Sequence, residues 1–253
     1  MALIHCHFYS ETLKTGSSLY AIVPEPKRGE GANRKLPVLY LLHGIADDHS
    51  AWVRRTSVEK YAAKRGIAVI MPAVGRSFYS DMVYGPAYWT FLTEEVPFIA
   101  RSLFPLSDRR EDNFVAGLSM GGYGAFKWAM RCPETFAAAA SLSGALDVCS
   151  RKKFWENEFR LIFGDAEIEG SVHDLFRLAS DLAVFPGQKP KLFQCCGTED
   201  YLYSDNIRFL EHARRLGLDL TYEEEPGIHD WYYWDKKIER VIEWLPLSAP
   251  VSD

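Results

Sequence analysis

Long apolar runs are missing from this chain. None approaches the roughly 20 residues that a membrane-spanning helix needs. Excess positive charge is missing too: lysine and arginine total 29 against 34 acidic residues, for a net charge of −5, and the short basic run Arg151-Lys152-Lys153 stands alone. A nucleic-acid partner is therefore not expected, because phosphate binding needs a clustered positive field. Cysteine is scarce, with five at 6, 132, 149, 195 and 196, an odd number without metal-ligand spacing. Reduced, structural thiols are the expectation, with Cys195 and Cys196 pointing to opposite faces of one strand. His5 and His7 would share a strand face, but two ligands are too few for a metal site, so neither metal nor cofactor is expected. The N-terminus lacks a basic segment followed by an apolar core. No export signal or membrane association is read there, and a cytoplasmic location is expected. Internal repeats and low-complexity tracts are absent as well.

What is present is a chain long enough for one large core, 47% hydrophobic and 14% aromatic. Residues 3–23 read as two strands joined by a polar turn at Lys14–Ser18, and 24–35 as a polar surface connection. Leu36–Leu42 is almost wholly apolar, as expected of a strand covered on both faces. Buried strands are expected again at 67–71, 136–142 and 191–197, with a last strand at 218–224. Helices are expected at 58–65, 89–104 (inner stripe Val96, Ile99, Leu103), 123–131, 204–216 and 231–244. Residues 146–188 break this rhythm and read as a mostly helical, cap-like insertion over the active-site face. Strands alternating with helices predict a single α/β domain over 1–253, a mostly parallel central sheet with helices on both faces.

One stretch organises the rest. Phe114-Val115-Ala116 runs into Gly117-Leu118-Ser119-Met120-Gly121, and a helical pattern follows. A strand reversing into a helix within one residue forces its serine into a strained conformation and exposes the hydroxyl, which is the form of a nucleophile elbow. A serine needs a base, and the base needs an acid to hold its tautomer. In chain order serine, acid, histidine, His229 lies in the loop after the last strand. His173 lies in the insertion and His212 falls mid-helix among charges. Asp200 follows the 191–197 strand and is the expected acid, with Asp147 as competitor; Glu199 should face solvent and Asp230 should cap the last helix. The oxyanion needs two N–H donors, expected from Met120 and from Ile45 in the loop His43-Gly44-Ile45. His43 precedes the serine and is expected to make a structural bond within its loop.

With these residues in view, the chain resembles the tributyrin-esterase branch of the esterase D family of α/β-hydrolases. The resemblance rests on Tyr40-Leu41-Leu42-His43-Gly44, Ala73 to Asp81, Gly117 to Gly124, Cys196-Gly197-Thr198-Glu199-Asp200 and His229-Asp230-Trp231. It implies the α/β-hydrolase fold and a serine carboxylesterase for short acyl esters, with Ser119, Asp200 and His229 as catalytic triad. The same family holds S-formylglutathione hydrolases, feruloyl and acetylxylan-type esterases and mycolyl transferases. Thioester hydrolysis, deacetylation or feruloyl ester cleavage on carbohydrates, and acyl transfer are thus the alternatives. The Leu-Thr-Cys segment of the formylglutathione enzymes is replaced here by Gly44-Ile45-Ala46-Asp47-Asp48. Among the aromatics near the expected pocket, Trp52, Tyr79, Trp89 and Trp231 are the substrate-contact candidates, with Phe78 and Tyr84 beside them. The expected partner is a small ester; monomer and homo-oligomer both remain open.

Overall fold

The computed structural model describes residues 1–26 and 35–247. The eight strands among them are β1 (Ala2–Ser10), β2 (Thr15–Val23), β3 (Val38–Leu42), β4 (Ala68–Pro72), β5 (Asn113–Leu118), β6 (Ala138–Leu142), β7 (Lys191–Gly197) and β8 (Leu220–Glu225). They form one sheet in the order β1-β2-β4-β3-β5-β6-β7-β8. The pairs β1/β2 and β2/β4 are antiparallel, and the other five are parallel. The helices are α1 (Ala51–Arg55), α2 (Val58–Arg65), α3 (Tyr88–Thr90), α4 (Val96–Leu103), α5 (Met120–Arg131), α6 (Val148–Arg151), α7 (Glu156–Phe163), α8 (Leu175–Val184), α9 (Tyr203–Arg215) and α10 (Trp231–Trp244).

Strand alternation divides the core into two layers. Leu39, Leu41, Phe114 and Ala116 point to one side and meet Trp52, Val58, Trp234 and Ile238 from α1, α2 and α10. Val38, Tyr40, Leu42 and Val115 point to the other and meet Phe126, Trp128, Phe159 and Leu175 from α5, α7 and α8. Strands β3 and β5 are buried along their whole length, which is why their sequences are apolar runs rather than alternating patterns. All five cysteines are free. The His5 and His7 rings lie 4.2 Å apart. Among the described residues no group of three or more metal-ligating side chains could hold an ion, and no helix is long and apolar enough to cross a membrane.

Two sequence expectations about these elements need correction. The first hairpin turns at Glu11–Lys14, starting three residues early, because Glu95 holds it: its carboxylate accepts from Ser10 Oγ (2.6 Å) and from the N–H groups of Glu11 (2.7 Å) and Thr12 (3.1 Å). The 89–104 helix is interrupted by a π-turn at Phe91–Glu95. A wider turn rotates everything after it, so Val96 and Ala100 face the core while Leu103 is exposed. Pro97 then falls in the first turn of α4, directly after the wider turn. The short helix α1 gave no periodic signal. The polar connection expected at 24–35 lies mostly outside the described residues.

Candidate active site

Ser119 sits between β5 and α5 with φ 54° and ψ −119°, a conformation that costs a non-glycine residue on the order of 1–3 kcal/mol. Its surroundings hold it there. Its N–H donates to Leu142 O (2.9 Å), and its carbonyl accepts from Tyr123 N (3.2 Å) and Ala145 N (3.1 Å). Helix α5 lies so close to β3 that a Cβ on Gly121 would stand 2.4 Å from Leu42 O. The loop after β3 is equally near: a Cβ on Gly44 would be 3.6 Å from Ser119 Cβ. The Ile45 and Met120 N–H groups have no acceptor among the described residues. Helix α5 begins at Met120, so its free N–H groups and positive dipole end face the serine.

Asp200 and His229 come from the loops after β7 and β8, neighbouring strands in the same register direction as β5. His229 Nδ1 is 2.8 Å from Asp200 Oδ2, and the other Asp200 oxygen accepts from Leu202 N (2.8 Å). Two backbone contacts draw the loops together. Glu199 N donates to Gly227 O (3.1 Å), and the Glu199 carboxylate accepts from Gly227 N. Glu199, expected to face solvent, is exposed and at the same time forms half of this clamp. The imidazole of His229 lies between the edge of Trp234 (4.8 Å) and the ring of Tyr201 (4.5 Å). Burial raises the pKa of Tyr201, whose ring stands against the His229 imidazole. Ser119 Oγ and His229 are not hydrogen-bonded to each other; such bonds are commonly long in a free enzyme and shorten when substrate arrives.

The competing residues are engaged elsewhere. Asp147 caps α6 and accepts from Arg208 Nη2 (2.6 Å). Asp230 caps α10 through Tyr233 N. His212, read as solvated, donates from Nε2 to Phe176 O (2.9 Å) and ties α9 to α8. His173 faces Lys127 Nζ (3.1 Å). His43 donates from Nδ1 to Gly44 O (2.8 Å) and accepts at Nε2 from Val74 N (3.2 Å), a neutral tautomer that burial enforces by lowering its pKa to about 4.

The aromatic candidates divide. Trp52 and Tyr79 have no exposed surface and cannot line an open pocket: Trp52 donates to Leu42 O (3.1 Å) and Tyr79 to His43 O (2.7 Å). Trp89 has cations on its ring, Arg131 at 4.1 Å and Lys127 at 5.1 Å. Trp231, partly buried, packs edge-on against Trp52 and Trp234. Tyr201, exposed beside His229, was missed from the sequence, although its place directly after Asp200 was a usable signal.

The Esterase family model matches residues 10–245. The chain belongs to the esterase family. Acetyl esterase from Caldicellulosiruptor saccharolyticus is 32% identical, with all of both chains covered. Among solved structures, the Staphylococcus aureus fluorophosphonate-binding serine hydrolase FphF matches with a TM-score of 0.92 and 36% identity, covering 98% of this chain and 99% of that one. The S. aureus S-formylglutathione hydrolase FrmB matches with a TM-score of 0.89 and 36% identity, covering 96% and 98%. This member of the family has the α/β-hydrolase fold expected from its sequence and is a carboxylic-ester hydrolase.

Proposed function

We propose that this esterase is a serine carboxylesterase for short acyl esters, of the tributyrin-esterase branch of the esterase D family, with Ser119 as nucleophile, His229 as base and Asp200 as its orienting acid. The observation that carries the reading is the strained Ser119 elbow beside a His229–Asp200 pair at 2.8 Å. His229 Nε2 takes the serine proton as Oγ adds to the ester carbonyl. The oxyanion is held by the N–H groups of Ile45 and Met120. His229 then protonates the departing alcohol, and water repeats the sequence to release the acid. The 146–188 insertion acts as a cap. In support, Arg76 pairs with Glu158 (2.6 Å), stacks on Trp155 (5.0 Å) and reaches Ile45 O (3.5 Å), joining the insertion to the oxyanion loop. Ser119→Ala is expected to lower kcat on p-nitrophenyl acetate and butyrate by about 10⁶ with the fold retained; turnover near the wild-type rate would refute the assignment.

A second reading, thioester hydrolysis, is favoured by the 36% identity to a formylglutathione hydrolase across nearly the whole chain. It uses the same machinery with a thiolate leaving group, and a direct assay of S-formylglutathione against p-nitrophenyl acetate separates the two. Acyl transfer shares the first half-reaction, and product analysis with and without an added alcohol acceptor tests it.

A further inference from the structure

The segment Ser77-Phe78-Tyr79-Ser80 has no part in the chemistry above, yet it holds two consecutive non-glycine residues in the left-handed region, Phe78 at φ 46° and Tyr79 at φ 51°. Strain of this kind persists only where the surroundings over-determine it. Here the constraint comes from Lys127 on α5, a fully buried lysine whose Nζ lies 2.9 Å from Tyr79 O, 2.7 Å from Ser80 Oγ and 3.1 Å from His173 Nδ1. Among the described residues none of these partners is a carboxylate. Burial and the nearby Arg131 push its pKa well below the usual lysine range, so the group is kept against a considerable desolvation penalty.

The far end of the Tyr79 side chain meets the oxyanion loop. Its ring lies against α5, close enough that a Cβ on Gly124 would stand 2.4 Å from it, and its hydroxyl donates to His43 O at 2.7 Å. That bond fixes the His43–Gly44 peptide. The next peptide, Gly44–Ile45, is fixed through its oxygen, which accepts from His43 Nδ1 (2.8 Å) and Asp47 N (3.2 Å). In a trans peptide the N–H points opposite to the C=O. Pinning Gly44 O therefore aims the Ile45 N–H the other way.

We infer that Lys127 and Tyr79 are positioning residues for ester cleavage at Ser119: a buried strut from the nucleophile helix, through the strained 77–80 turn, to the backbone that presents the Ile45 N–H to the oxyanion. This inference rests on the proposed role of Ile45. A donor displaced by a fraction of an ångström stabilises the transition state less while leaving ground-state binding alone.

The test is Tyr79→Phe, which removes one oxygen and keeps the ring, assayed well below its melting temperature. The expected result is a fall in kcat on p-nitrophenyl acetate of about tenfold or more with KM within about twofold, because removing an oxyanion donor outright costs 10²–10³. The inhibition constant of an alkylboronic acid, which forms a tetrahedral adduct on a reactive serine, should rise by a similar factor. Lys127→Met should act in the same direction, and the double variant should be less impaired than the product of the two single effects. A kcat within twofold of wild type for Tyr79→Phe, or a lowered kcat with unchanged boronic-acid affinity, would overturn the strut, and Tyr79→Phe decides the matter even if Lys127→Met does not fold. Ser119→Ala run alongside keeps the two ideas apart: activity surviving that change removes the functional reading itself, whereas an inactive Ser119→Ala with a fully active Tyr79→Phe removes only the strut.

Discussion

Asp200 uses its two carboxylate oxygens differently, one for the His229 imidazole and one for the Leu202 N–H. An amide at this position could still satisfy Leu202 through its oxygen, but it would turn an NH₂ donor toward Nδ1 and select the wrong tautomer. Asp200→Asn is therefore expected to lower kcat by about 10⁴ with little change in melting temperature, read by steady-state kinetics and calorimetry. Ser119, Asp200 and His229 were legible as candidates because each stands just past a strand end, in an order that few folds share. Trp52 and Tyr79 were misread for a physical reason: an aromatic residue near a site in sequence gives no local sign of whether its ring faces solvent or core. Lys127 did leave a sign, a lone charge inside Ala125-Phe126-Lys127-Trp128-Ala129, but a partner for it could be found only in the folded chain.

Among the elements, the loops after β7 and β8 depend on close backbone approach. A Cβ on Gly197 would stand 2.2 Å from Gly227 O, against backbone that has no rotamer through which to yield. Gly197→Ala should push the Asp200 and His229 loops apart, destabilising the protein by about 1–3 kcal/mol and lowering kcat. Calorimetry and kinetics on the purified variant check this, and unchanged values of both would mean that the loops have more room than the structure shows. Helices with a clear stripe and clear ends, such as α2 with Gly66 behind it and α10 with Asp230 before it, were readable to the residue. The π-turn in 91–95 was not, since one added residue per turn alters which side chains face inward without altering composition. The first hairpin escaped for a related reason: its turn is held by Glu95, more than 80 residues away in the chain.

For the molecule as a whole, acid should be destabilising in a defined window. The pKa of His43 is about 4 in the folded protein against 6.5 for an unperturbed histidine, because burial disfavours the cation. Between those values the unfolded chain binds more protons than the folded one, so stability rises with pH. From this residue alone, about 3 kcal/mol should be lost between pH 6.5 and 4, measured as the shift in denaturant midpoint across that range. His173, lowered to about 3 by burial and by the Lys127 and Arg131 charges, adds to the loss in the same direction.

The sheet order carries a consequence for how such enzymes diversify. Ser119 follows β5, while Asp200 and His229 follow β7 and β8, and everything between β6 and β7 is a detour that departs from the sheet and returns to it. Its helices α7 and α8 are anchored in the core through Phe159, Leu175 and Leu178, so it is the exposed stretches between those anchors that can lengthen, shorten or change composition across generations while the reacting atoms keep their mutual distances. One chemical engine can in this way be refitted with new specificities by editing the outer part of a single connection.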